Sequence, residues 1–205
     1  MGACLSNAEV NYVAIKNAPS PITAIDTKFL STAPRSLNMK HKKWNLTGDY
    51  TVNDGLTGTP YFQVSGSFFT MVGRKVLRDG NRVEIAGIKS VPFTFGRREV
   101  YIVDEKTKSE SFLFTMDVVD SLGSLELSAS VIDKVTGETH IVSCRGNQDT
   151  WNMVFYIDQS PVAKMRSKWE ITGDRYFVDV AAGVDMALIA LLCIGIQSTV
   201  PAQVP

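Results

Sequence analysis

The chain has 205 residues, enough for one domain with short extensions, and its 44% apolar and 20% charged content is that of an ordinary folded protein. Lys and Arg together number 21, as do Asp and Glu. No overall field therefore draws the chain to nucleic acid or to an acidic surface, and such binding would need a local basic patch.

The first residues, Met1-Gly2-Ala3-Cys4-Leu5-Ser6, fit the pattern for N-myristoylation. Acylation takes place on the freed α-amine of Gly2. Cys4 lies where a second, palmitoyl chain would go. One myristoyl chain binds a membrane marginally, whereas two anchor stably. A basic segment followed by an apolar one is missing, so no secretory leader is expected. Asn45-Leu46-Thr47 matches the glycosylation acceptor pattern, which without a leader is read as unused. Pro19, Pro21 and Pro34 punctuate a stretch with no sustained period, so residues 1–36 are expected to form a flexible tail. Within it, Tyr12–Ile15 has the makings of a short docking strand.

From about residue 37 short runs rich in Val, Ile, Phe, Tyr and Thr follow one another. "GDYTVND", "YFQVSGSFF", "NRVEIAGI", "EVYIVDE", "LELSASVID", "WNMVFYID" and "RYFVDVA" are representative. Several alternate polar and apolar residues, the mark of a half-buried strand. Asn53-Asp54-Gly55, Asp79-Gly80-Asn81, Val135-Thr136-Gly137, Asp158-Gln159-Ser160-Pro161 and Thr172-Gly173-Asp174 supply turns, several with residues that tolerate positive φ. Ten to twelve antiparallel strands result, and so many must close into a barrel or stack as a sandwich to hide their edges. The aromatic residues, spread along these runs, are read as core.

Met186 to Ile196 carries no charge and is apolar on every face, so a helix near residues 184–197 must be buried. Eleven residues make roughly 17 Å, whereas a membrane span needs about 20 residues. Gln197 and Pro201 limit any extension and Asp185 marks the start, where a carboxylate suits the helix dipole. The expectation is a core helix.

"YFVDVAAGVDMALIALLCIGIQ" resembles the closing strand and helix of the LURP-one-related family, typically V-A-P-G-V-D-x-A-L-I-x-A-L. That family belongs to the tubby C-terminal-like superfamily, which also includes phospholipid scramblases. Val180, Ala181, Gly183, Val184, Asp185, Ala187, Leu188 and Ile189 stand in the matching places, with Ala182 where proline is common. "SGSFFTMVGRKVLRDGNRVEIAGIKS" and "VAKMRSKW" are similar to further strands of the family. The resemblance covers about residues 37–199. It implies a mainly β fold, a closed antiparallel barrel of about twelve strands enclosing the C-terminal helix, with residues 200–205 as a short tail.

Basic residues cluster at Lys40, Lys42 and Lys43, at Arg74, Lys75 and Arg78, at Arg97-Arg98, and at Lys164, Arg166 and Lys168. Alternate residues of a strand share a face, so Lys40 with Lys42, and Lys164 with Arg166 and Lys168, would form stripes able to meet an anionic phospholipid or phosphoinositide. The plainer reading of the same stripes is the solvated outer face of a barrel, with Lys discouraging edge pairing.

Cys4, Cys144 and Cys193 have no metal-ligand spacing and suit a reducing compartment. With His41 and His140 the only histidines, no zinc site is read. There is no nucleophile elbow, metalloprotease helix or phosphate-binding glycine loop. Asp179 and Asp185 read as strand and helix-start residues rather than a catalytic pair. No enzyme activity, cofactor or nucleic-acid partner is expected, and the chain is expected to be a monomer. The expected function is a non-enzymatic, acyl-anchored binding or adaptor module on the cytosolic side of a membrane, recognising a lipid head group or a protein partner. A scramblase-like protein and a soluble regulatory or defence-associated protein are the alternatives.

Overall fold

A computed structural model describes residue 10 and residues 12–41, 49–66, 73–121, 124–147, 149–168 and 175–198. Twelve strands follow one another: β1 (Arg35–His41), β2 (Tyr50–Asp54), β3 (Pro60–Gly66), β4 (Lys75–Asp79), β5 (Glu84–Ser90), β6 (Arg97–Val103), β7 (Glu110–Ser121), β8 (Ser124–Ile132), β9 (Thr139–Asn147), β10 (Asn152–Ile157), β11 (Ser160–Lys168) and β12 (Arg175–Val180). Each pairs antiparallel with its neighbours in sequence, and β1 pairs with β12 to close the barrel. The period-two pattern has its expected effect. In β8, Leu125, Leu127, Ala129 and Val131 face inward while Ser128, Ser130 and Ile132 face out.

The interior is filled by α1 (Met186–Gln197), which bears no exposed residue. Leu188, Ile189, Leu191, Leu192, Ile194 and Ile196 pack against Leu37, Met39, Phe62, Ile88, Met116 and Met165 from the surrounding strands. Each fully buried Leu or Ile contributes about 1.5–3 kcal/mol, so the apolar helix is the centre of the core. The twelve strands and the enclosed helix agree with the expectation. No described helix is long and apolar enough to cross a membrane.

The helix gives the barrel two distinct ends. At its start, here the base, Asp185 caps α1 by accepting from Ala187 N (2.9 Å) and Leu188 N (3.3 Å). At its finish, here the rim, Ser198 N returns to Ile194 O, and Arg98 donates to Ser198 O at 3.0 Å, a cation at the negative end of the dipole.

Three base hairpins repeat one device. Asp54 accepts from Leu56 and Thr57 N, Asp104 from Lys106 and Thr107 N, and Asp133 from Val135 and Thr136 N. The residue four places after each Asp is left-handed: Gly58 at φ 72, Lys108 at φ 57 and Gly137 at φ 76.

The stretch before β1 corrects the expected flexible tail. Residues 12–34 are bonded across the base. Lys16 N donates to Pro161 O, Ala18 N to Ala182 O, Ile22 N to Gly183 O, and Ser31 N to Val184 O. Ile22, Ala24, Ile25 and Phe29 are buried beneath the helix. The segment lacks a period because its hydrogen bonds go to distant parts of the chain rather than to itself.

Candidate functional site

Gly2, Cys4, Lys42 and Lys43 lie outside the described residues, so the acylation pattern and part of the first basic cluster receive no geometry. The remaining basic candidates have sharply different surroundings.

Arg74 is held in a network on the outer wall. It donates to the Tyr101 hydroxyl at 2.6 Å and meets Glu84 at 3.0 Å and Glu110 at 2.7 Å, while Lys89 shares Glu110 at 3.0 Å. The Tyr101 ring lies across Gly87, where a Cβ would come within 2.2 Å of its hydroxyl oxygen. Lys89 and Arg74 cover that ring at 4.8 and 5.3 Å. These carboxylates already balance much of the positive charge that the sequence displays there.

Lys75 stands 5.2 Å from the Tyr50 ring centre. Burial pushes its ammonium down to about 8, with the Arg98 charge adding to the fall and Asp49 opposing it. On β11, Arg166 pairs with Asp179 at 2.6 Å. Lys164 donates to Val13 O at 3.3 Å and so helps hold the N-terminal segment.

Lys40 is different. In register it lies opposite Arg175 of β12, and Arg175 lies opposite Lys168 of β11. Strands lie about 4.8 Å apart, so three basic positions stand side by side in register within about 10 Å, at the rim ends of their strands. The row is a local concentration of basic positions in a chain whose overall charge is balanced. The structure thus joins one member from each of the two sequence stripes. Arg175, which links them, belongs to neither stripe, because β12 presents it as the single basic residue of "RYFVDV".

The aromatic reading also needs correction at the rim. Phe93 and Phe95, in the β5–β6 loop, are 106% and 103% exposed, so neither belongs to the core. Both lie in "VPFTFG", a run whose Pro and Gly already mark it as a loop.

His140 is buried and its Nδ1 lies 2.6 Å from Asp158, whose other oxygen accepts from Ile141 N at 2.9 Å. The arrangement pins the two-residue turn between β10 and β11. Cys144 and Cys193 are buried, and burial raises both thiols. Among the described residues no group of three His, Cys, Asp or Glu could hold a metal. A cleft of about 300 Å³ opens at the base, between the Thr27–Phe29 turn and strands β5 and β6. Asp26, Glu84, Asp104 and Glu105 line it with Lys28 and Lys134, a mixed set that favours no single charge.

No curated protein matches the chain. A protein of Arabidopsis thaliana solved by X-ray crystallography shares the fold: TM-score 0.61, 19% identity, covering 85% of this chain and 96% of that one. The LURP-one-related family model matches residues 35–197, from the first strand through the enclosed helix, and the chain therefore belongs to the LURP-one-related family.

Proposed function

We propose that the protein is a non-enzymatic binding module that sits peripherally on the cytosolic face of a membrane. Acyl groups on Gly2 and Cys4 anchor it, and the barrel rim recognises anionic lipid head groups. The observation that carries the reading is the row Lys40–Arg175–Lys168, three basic positions in register on adjoining strands. Each such charge near an acidic surface contributes about 1 kcal/mol.

The path of the N-terminal segment supports the same orientation. Followed backward from Lys16, beside Pro161, to Val13, beside Lys164, the chain moves along β11 from base toward rim. The base hairpins carry both signs of charge, Asp104 and Glu105 beside Lys106 and Lys108 and Asp133 beside Lys134, so that end offers no uniformly basic face.

The test is sedimentation of the purified, unacylated full chain with vesicles of phosphatidylcholine, alone and with phosphatidylserine added. Binding to the acidic vesicles, weakened about tenfold or more by Lys40→Glu/Arg175→Glu and by high salt, is the expected result. Equal binding by wild type and the charge-reversed variant would remove the basic row from the account.

A further inference from the structure

We propose that the β5–β6 loop is a membrane wedge, in which Phe93 and Phe95 enter the interfacial layer of an acidic bilayer. This rests on the membrane reading above and adds an apolar contact distinct from both the acyl anchor and the basic row.

The loop is built to hold its rings outward. Val91 N donates to Arg97 O at 3.1 Å and closes the loop at its neck. Inside it, Thr94 Oγ1 donates to Val91 O at 2.7 Å. Gly96 O accepts from Val118 N at 3.1 Å, and Gly96 fits only because it lacks a side chain: at φ 74, a Cβ would lie 1.8 Å from Val118 O. Phe93 itself is left-handed at φ 60. A bulky residue pays for that conformation, and Phe in water gains nothing in return. Strain that persists in a bonded loop points to a use for the conformation it enforces. Here the conformation places two aromatic rings in solvent at a convex tip.

A bilayer is the occupant that fits. The tip projects from the rim, the end that carries the basic row. In the barrel order, the β5–β6 loop lies across the mouth from the β11–β12–β1 row. A charged contact on one side and an apolar contact on the other define a plane, as docking onto a flat acidic surface requires. Arg97, at the neck, is neutralised by Asp117 at 2.7 Å, which lets the neck approach the head groups without stranding a charge. Aromatic rings favour the interfacial layer of a membrane.

The experiment uses the same unacylated full chain and the same two vesicle compositions. Phe93→Ser/Phe95→Ser is compared with Leu56→Ser, which removes a 92% exposed apolar side chain from a base hairpin. Both changes are on the surface, and matched thermal melting confirms the fold. The wedge variant is expected to bind acidic vesicles about tenfold or more weakly than wild type, and the Leu56 variant to bind as wild type does. Wild-type binding by Phe93→Ser/Phe95→Ser, or an equal loss in Leu56→Ser, overturns the wedge. If charge reversal at Lys40 and Arg175 abolishes binding while the wedge variant does not, the functional reading stands and the wedge falls. If the wedge variant alone loses binding, the wedge stands and the basic row falls. Failure of wild type to bind either vesicle overturns both, and a chain that instead uses the loop to bind a protein would show that failure.

Discussion

The carboxylate of Asp185 accepts a hydrogen bond from Ile25 N at 2.7 Å, across 160 residues of sequence. The same oxygen also accepts from Ala24 and Asp26 N, while the other caps α1 through Ala187 and Leu188 N. One buried side chain thereby ties the N-terminal segment to the start of the core helix. Burial raises its carboxyl above the ordinary range, against the N–H donors that favour its charged form. Each buried N–H left without an acceptor costs about 1–3 kcal/mol. Asp185→Ala is therefore expected to lower stability by about 3 kcal/mol or more, roughly 6–12 °C in Tm for a chain of this size. Limited proteolysis before β1 should quicken in parallel. Asp185→Asn, which keeps one acceptor, should lose less.

Leu191, 1% exposed at the middle of α1, tests the enclosure of the helix. Leu191→Asp places an unpaired charge in the core, a cost of several kcal/mol. Loss of soluble, cooperatively melting protein is expected. A variant that melts as wild type does would show that α1 is not enclosed.

Lys75 gives a pH test with a definite sign. Its folded value of about 8 lies below the ordinary 10.5. Between those values the unfolded chain binds more protons, so this group's contribution to stability rises with pH across that window, and the full penalty is present below it. Lys75→Met is expected to stabilise the protein at neutral pH by about 1–2 kcal/mol, allowing for the partly solvent-facing ammonium. The gain should shrink toward zero as the pH approaches 10.5. Urea unfolding of both proteins at several pH values checks this.

Two glycine exchanges should have opposite effects. Lys108 occupies the left-handed position that Gly58 and Gly137 fill in the sister hairpins. Lys108→Gly removes the backbone cost and is expected to stabilise by about 0.5 kcal/mol, the entropy of the unfolded chain offsetting the rest. Gly87→Ala forces a methyl group to 2.2 Å from the Tyr101 hydroxyl and 2.7 Å from Lys75 O. It should destabilise by about 1–3 kcal/mol. Urea midpoints distinguish the two.

The barrel could be read from the chain because its information is local. Alternation in "LELSASVI" sets which face of β8 is buried, and the Asp-x-x-Thr spacing of Asp54, Asp104 and Asp133 sets three hairpins. The family resemblance supplied the position of the helix inside the barrel. The base plug was not legible, because Ile22, Ala24 and Ile25 find their partners at Gly183 and Asp185. The basic row was half legible. Lys40 and Lys168 stand out in their own strands, but their proximity depends on the register of β12 between them. Phe93 and Phe95 look like core residues until the left-handed backbone of Phe93 turns the loop outward.

The proposed peripheral attachment through the N-terminus has a direct test. Fractionation of eukaryotic cells expressing wild type or Gly2→Ala, with carbonate extraction of the membranes, tests it most directly. Wild type is expected in the membrane fraction and most of the Gly2→Ala protein in the soluble fraction. Gly2→Ala protein that stays in the membranes and resists carbonate would contradict it.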